Sequence, residues 1–567
     1  MAAAHQLPLP SLESKTSVLR RSANFQPSIW HYDYIQSLRS EYTEEKYSKQ
    51  SKVLKEEVRV MLCQVVDHVE QLEMIDVLQR LGVSYHFNDE IRNVLENVYN
   101  NMDILKSKKN LYATALAFRL LRQHGYNLSA DVFVGFKDGM GNFKKCLSDD
   151  VQGMQSLYEA SFHSVEDELI LDEARDFTSK FLKDFVDKNR GNDTSLLINH
   201  ALEFPLHWRV PRLEALWFIN FLEERRQNEN HALLHFAKLD FNMVQSIYQE
   251  ELKNASRWWK GTGLVEELSF VRNRLVENFY FALGFNFRPD LGNFREEITK
   301  LHSLITNIDD IYDVHGTLEE LELFTEAIDR WDLNAMDGLP HYMKICFLAI
   351  YNFVNEKAYV ILKENGFNVI PYLKKAWADL CKAYLVESKW YYSGYTPRLQ
   401  EYMENAWISV STPVILVHAY FFIPRPLQKE DFVCLLEEYP NIIRFPAIIS
   451  RLANDIASCQ REMETGDVSK SVQCYMNETG ASEADSREYL KGMILTTWKK
   501  MNEEARNSSF SQSFIDTALD VARMCLCFYH YGDGFTLPNH ETKSGILSLI
   551  MQPIPMTSKE KYAVEKE

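Results

Sequence analysis

Glycine and proline are scarce in this chain of 567 residues, at 21 and 17. Both fall below average usage, which leaves few tight turns and argues for long helices. Cysteine is equally thin, nine residues, odd in number and without metal-type spacing. That excludes a disulfide scaffold and reads as reduced thiols in an intracellular protein. Positive charge is in deficit, with 62 Lys and Arg against 80 Asp and Glu and a net charge of −18. Nucleic acid phosphates would be repelled by such a surface. No apolar run approaches the roughly 20 residues that a membrane span needs. Internal repeats of fixed period and low-complexity tracts are missing as well. The first 19 residues hold one Lys, one Glu, one His and no Arg. A plastid leader should be longer, Ser-rich and basic, so the cytosol is expected, with the plastid as the alternative.

What the chain has in quantity is apolar and aromatic surface, 46% and 13% of residues. This suffices to line both a core and a hydrocarbon pocket, and the length allows two or more domains. Apolar residues recur at three- and four-residue spacing in Ile91–Val98, Leu111–Arg122 and Leu169–Phe185, which predicts helices. Gly135–Asn142 and Asp187–Asp193 read as loops. The polar run Glu223–Asn230 marks the domain boundary. Residues 1–19 are then a short leader expected to be disordered, 20–228 an N-terminal domain and 229–567 a C-terminal one.

Chemistry concentrates in Asn307-Ile308-Asp309-Asp310-Ile311-Tyr312-Asp313, three carboxylates inside an apolar, helix-patterned stretch from Ile298 to Val314. On a helix Asp309 and Asp313 share a face one turn apart, with Asp310 beside them. Clustered carboxylates repel one another and lose hydration unless a cation compensates. All-oxygen ligands suit Mg²⁺ or Mn²⁺, and Mg²⁺ commonly combines a few carboxylates with substrate phosphates. A solvated acidic patch is the plain alternative. A second set, Asn454, Ser458 and Glu462 at i, i+4 and i+8, stacks three more oxygen ligands on one helical stripe. Each of the three alone would pass for surface polarity. Two such stripes facing each other across a cavity could hold several metal ions around a diphosphate.

On these motifs the chain resembles class I terpene synthases, whose two metal motifs have the form of Asp309-Asp310-x-x-Asp313 and Asn454-x-x-x-Ser458-x-x-x-Glu462. Ser256-Arg257-Trp258-Trp259, Arg272-x-Arg274, Gly316 to Phe324 and Arg330-Trp331-Asp332 look like the plant family. Arg20-Arg21, followed after eight residues by Trp30, is similar to the tandem-arginine motif of the angiosperm branch with monoterpene, isoprene and some farnesene synthases. The resemblance runs from about Arg20 to about Pro553. It implies an all-α fold with an N-terminal barrel-like domain and a C-terminal helical bundle around the active site. It also implies a monomeric carbon–oxygen lyase that ionises a prenyl diphosphate with Mg²⁺ or Mn²⁺, three ions per site. The N-terminal part lacks an Asp-x-Asp-Asp sequence, so protonation-initiated cyclisation is not expected. A chain-joining prenyltransferase is disfavoured by the single aspartate-rich motif. A silent isoprenoid-binding protein is disfavoured because every expected metal and diphosphate position is filled.

The resemblance assigns further residues. Arg272 and Arg274 match arginines that grip diphosphate, as guanidinium forks suit its oxygens. Two residues apart on a helix they diverge by about 200°, so both reach one ligand only where a helix is frayed or broken. Arg451 and Lys470 also match diphosphate-contacting positions. Phe281, Tyr312 and Tyr529 are candidate aromatic faces for a carbocation, and Asp533 matches a position near the active-site lid. The stretch Ser409-Val410-Ser411-Thr412-Pro413 should break a helix, where family members expose carbonyls toward the cation. Arg20, Arg21 and Trp30 resemble a clamp over the active-site mouth, and would equally tie down the terminus. Departures are Asn273 where Asp is usual, Asn307 and His315 beside the metal motif, and His302 seven residues before Asp309. His302 reads as a pocket group, a proton acceptor or a satisfied structural histidine. Phe281 stands where cyclising relatives usually have Trp, which favours acyclic products. A cytosolic setting favours farnesyl diphosphate and an acyclic sesquiterpene such as farnesene. The tandem-arginine branch mostly uses geranyl diphosphate, which leaves a monoterpene synthase of the ocimene, myrcene or linalool type, or one with a cyclic product, as the alternative, and isoprene synthase behind both.

Overall fold

Helices supply nearly all the regular structure, as the shortage of helix-breaking residues predicts. The computed structural model describes residues 25–102, 109–225, 231–427, 430–465 and 469–557, the side chains of 430, 431, 433 and 460–465 excepted. Among the described residues no strand forms, only an isolated bridge between Lys137 and Phe143. Residues 1–19, Arg20, Arg21 and the later part of the polar run, 226–230, lie outside the described residues.

The expected N-terminal helices form as Asn88–Asn100, Leu111–Gln123 and Leu169–Lys188. Side chains satisfy the first free N–H groups of such helices. Asn110 Oδ1 accepts from the Ala113 N–H at 3.0 Å, and Asp150 Oδ1 from Gly153 at 2.8 Å. The Asp187–Asp193 loop is narrower than expected, since one helix ends at Lys188 and the next starts at Asp193.

The C-terminal half hangs on His231–Thr262, a helix of 32 residues. Five helices close a ring: Leu275–Phe285, Gly292–Asp310, Thr412–Phe422, Asn441–Thr465 and Gln512–Tyr529, each packed on the next and the last on the first. Ile370–Ser393 packs across the ring beside Thr412–Phe422. Asn242 and Gln249 on the long helix donate to the Ile554 and Ile550 carbonyls at 2.9 Å each, fixing the C-terminal segment. The N-terminal helices are tied to the same helix through buried Asp240, which accepts from Tyr85 at 2.6 Å and pairs with Arg212 at 3.3 Å.

One sequence expectation needs correcting. Two stretches, His341–Asn365 and Leu399–Phe422, are long and apolar enough to cross a membrane. The second is broken at Ser411, whose φ of +66° ends one helix before Thr412 starts the next, and most of it is buried in the bundle. The first buries Met343, Phe347, Ile350 and Val354 in the bundle core. Both are apolar because helices pack on more than one side of them, as an inner helix of a bundle requires.

Candidate active site

The ring encloses a cavity of about 1150 Å³, its mouth included. From Gly292–Asp310 and the turn after it come His302, Ile305, Thr306, Asp309 and Asp313, a spacing of three, four and seven that keeps one helix face on the cavity. The α-helix ends at Asp310, four residues before the expected helical run ends at Val314, and continues as one wider turn, Ile311–His315. That turn is closed by the Gly316 N–H donating to the Ile311 carbonyl at 2.8 Å. A Cβ on Gly316 would stand 2.6 Å from Leu321 Cδ2 and 3.0 Å from that carbonyl, so only glycine fits without displacement. Thr317 and Glu320 then cap the next helix reciprocally.

Asp309 opens onto the cavity and pairs with Arg272 Nη2. Asp310 does not line the cavity. It is wholly buried, accepts the Arg272 backbone N–H at 2.7 Å and meets Arg272 Nε at 2.8 Å. The expectation that Asp310 stands beside Asp309 as an equal metal ligand is corrected by helix geometry, since one residue is about 100° of rotation. Burial pushes its carboxyl up to about 7, with Asp309 adding to the rise and Arg272 opposing it.

Across the cavity Asn454 and Ser458 line the wall with Arg451, whose Nη2 donates to Asn454 Oδ1. Ser458 donates to the Asn454 carbonyl at 2.9 Å. Arg451 is held by Asp455 at 2.5 Å, a fully buried carboxylate that also accepts from Tyr402 at 3.2 Å. Glu462 continues the same helix, its side chain outside the described residues. Lys470 reaches the cavity and lies 3.5 Å from Glu387.

The two arginines of Arg272-x-Arg274 do leave the helix, as expected. Only Arg272 lines the cavity. Arg274 is buried and turned aside, donating to the carbonyls of Phe535 at 2.8 Å and of Gln26 and Thr536 at 3.2 Å. Its expected grip on the ligand is replaced by a tie between the N-terminal segment and the 533–536 loop. Trp30 reinforces that segment through a bond to Glu277 at 3.1 Å, and the Phe25 ring lies 4.9 Å from the Arg272 guanidinium. Asn273 ties its own segment to the long helix by accepting from Trp259 at 3.2 Å.

Of the three candidate aromatics, Phe281 and Tyr529 line the cavity. Tyr312 does not; it is buried and bonds Thr325 at 2.6 Å, because its position after Asp310 falls on the helix's core side. Asp533 lines the mouth and caps the Phe535 and Thr536 N–H groups at 3.1 Å each. The break at Ser409–Thr412 forms as expected and faces the cavity. Pro413 has no N–H to offer the Ser409 carbonyl, which frees that oxygen from the helical ladder. His315 stacks on Phe270 outside the cavity. Asn307 is buried, its amide without a partner among the described residues.

Sequence reasoning missed Tyr384 and Glu387, which line the cavity from Ile370–Ser393. A buried glutamate one turn from a tyrosine on an apolar helix was the available signal. Glu387 accepts from Ser409 Oγ and so fixes the broken helix.

On its two stripes the cavity therefore carries Asp309 and Asp313, and Asn454 and Ser458, and it is also lined by Arg272, Arg451 and Lys470 and by the carboxylates of Glu387 and Asp533. All donors are oxygen, as a hard divalent ion requires. Among the described residues no three His, Cys, Asp or Glu side chains form a closed cage. A metal here would need the neutral oxygens and those of a bound anion, so the residues fit a metal that shares its shell with a phosphate ligand.

Comparison with known proteins agrees with this geometry. Residues 29–202 match the terpene synthase N-terminal domain and 260–500 the metal binding domain of the terpene synthase family. A chloroplastic myrcene synthase of Quercus ilex is 58% identical over 96% of this chain and 92% of its own. A (−)-alpha-terpineol synthase of Vitis vinifera is 53% identical over 96% and 92%, and a chloroplastic linalool synthase of Coffea arabica 51% identical over 95% and 91%. Limonene synthase solved with 2-fluorolinalyl diphosphate superimposes with a TM-score of 0.92 at 42% identity, covering 95% of this chain and all of that one. Isoprene synthase of Populus x canescens, solved with three Mg²⁺ ions and dimethylallyl-S-thiolodiphosphate, gives 0.85 at 45% identity over 93% and 99%. The chloroplastic relatives overturn the cytosolic expectation drawn from the first residues.

Proposed function

Because this chain belongs to the terpene synthase family, whose two domains it matches in order, we propose that it ionises geranyl diphosphate with Mg²⁺ and releases diphosphate and an acyclic monoterpene. One observation carries the ionisation: Asp309 and Asp313 share a single cavity with Asn454 and Ser458, above an aromatic floor. Geranyl diphosphate, set second to farnesyl diphosphate from the sequence, is favoured because the myrcene, terpineol and linalool synthases are named for ten-carbon products. By the same relatives we propose a plastid setting and, as drawn from the sequence, a division of the chain near residue 228 and a monomeric state.

Asp309, Asp313, Asn454 and Ser458, with Glu462 further along its stripe, would hold the metal. Bound there, it would stabilise the charge that develops on the departing diphosphate. Arg272, Arg451 and Lys470 bring positive charge to the same leaving group, preorganised by Asp310, Asp455 and Glu387. Phe281, Tyr529 and Phe535 offer ring faces to the allylic cation. The Ser409 carbonyl adds a fixed dipole toward it. The segment from Phe25 to Trp30 covers the Arg272 side and limits entry of water. Phe281 in place of a larger indole gives less support to a ring-closed cation, which favours proton loss or water capture before cyclisation.

Incubation of the purified protein with Mg²⁺ and, separately, dimethylallyl, geranyl and farnesyl diphosphate, followed by analysis of volatiles, tests the reading. Ten-carbon acyclic products at the highest kcat/KM are expected. A higher kcat/KM on farnesyl diphosphate would refute the substrate, and mainly cyclic products would refute the product class.

A further inference from the structure

His302 is the deepest cavity residue of its helix. It lies seven residues before Asp309 on the same face, about 10 Å down the helix axis. It therefore meets the carbon chain of a ligand whose diphosphate sits at Asp309. The ring is 9% exposed and bracketed edge-to-face by Phe281 at 5.8 Å and Phe285 at 5.5 Å. A polar group at this depth should be hydrogen-bonded, yet Nδ1 is buried without a partner among the described residues. Among the described residues no carboxylate or cation shifts the ring's titration. Its ring neighbours are Phe281 and Phe285, and a hydrogen bond to the Asn278 backbone only partly offsets the desolvation of the imidazole.

Resting on the proposed ionisation, we propose that His302 is a catalytic residue that ends the reaction by taking a proton from the hydrocarbon cation. A C–H bond next to the cationic carbon breaks, its electron pair becomes the new C=C bond, and the proton bonds to a ring nitrogen of His302. The imidazolium returns the proton to solvent once product and diphosphate leave. Burial lowers the pKa of the ring to about 4, against a small opposing effect of the Asn278 backbone, so it waits neutral with a lone pair available. Such a weak base cannot pull protons from neutral hydrocarbon. An alkyl carbocation is acidic enough to give one up. The aromatic walls keep water from competing for the same cation.

His302→Phe keeps an aromatic ring and removes the nitrogens; His302→Gln keeps a polar side chain without a basic nitrogen. Geranyl diphosphate and Mg²⁺ are supplied to each, with diphosphate release, the olefin-to-alcohol ratio and the melting temperature read together. In both variants release continues and the olefin-to-alcohol ratio falls by about ten-fold or more, as loss of a general base predicts. His302→Ala with added imidazole regains olefin, which a merely structural role would not produce. An unchanged ratio in the variants, or a wild-type product that is wholly alcohol, overturns the proposal. If His302→Phe does not fold, His302→Gln decides. Absence of diphosphate release from wild-type protein would instead refute the ionisation reading.

Discussion

Asp309 and Asp310 carry the same side chain in different surroundings. Asp309 is 28% exposed at the cavity, while Asp310 is buried under the Arg272 guanidinium. Asp310→Ala would leave that guanidinium buried with Asp309 in contact and Asp533 and Asp313 acting from further off, at a cost of about 3 kcal/mol. Asp309→Ala relieves carboxylate repulsion and should shift stability by less than about 1 kcal/mol. Urea unfolding of the two variants checks the contrast, and equal losses would contradict it. Sequence spacing made the carboxylate stripe legible, since it reports angles around a helix. It could not report that Asp310 and Arg274 turn inward, because depth depends on Arg272 and the 533–536 loop, distant in the chain. His418 offers a second test, remote from the cavity. It is fully buried among Phe353, Trp377 and Phe422, donates from Nδ1 to the Val414 carbonyl at 2.7 Å, and has its pKa lowered by burial to about 4. A folded pKa below the unfolded value of about 6.5 means its contribution is intact above pH 6.5 and is lost as pH falls toward 4. Wild-type protein should lose about 3 kcal/mol over that window relative to His418→Phe. Parallel stability curves of the two proteins would contradict the assignment.

At the scale of elements, the break at Ser409–Thr412 was legible because Pro413 removes a donor wherever it falls. The wide turn Ile311–His315 was not. It closes at Gly316, which lies close against Leu321 in the following helix, a contact that no local pattern announces. The segment from Phe25 to Trp30 is the element most exposed to test. It is fixed by Arg274 at the Gln26 carbonyl and by Trp30 at Glu277. Arg274→Ala should free this segment and the 533–536 loop together. Limited proteolysis should then cut before Trp30 at least about ten-fold faster than in wild type, by the loss of roughly 1.5–3 kcal/mol of charge-assisted bonding. Unaltered cleavage would show that the segment is held elsewhere.

For the whole molecule, composition foretold helices and two motifs foretold their convergence, because a ring of helices is the fold that lets stripes far apart in sequence face one cavity. The compartment was misread, since targeting is recognised by receptors and leaves no trace in packing. The preference for farnesyl diphosphate rested on the same premise, and the relatives favour the alternative, geranyl diphosphate. Ionisation of a diphosphate by the opposed stripes is the central claim. The measurement that meets this claim most directly is release of inorganic diphosphate from geranyl diphosphate, with Mg²⁺ and with chelator, by wild-type protein and Asp309→Ala. Release that requires the metal, and falls by about 10³-fold or more in Asp309→Ala, is predicted. Release that persists in chelator, or in Asp309→Ala at near wild-type rate, would contradict it.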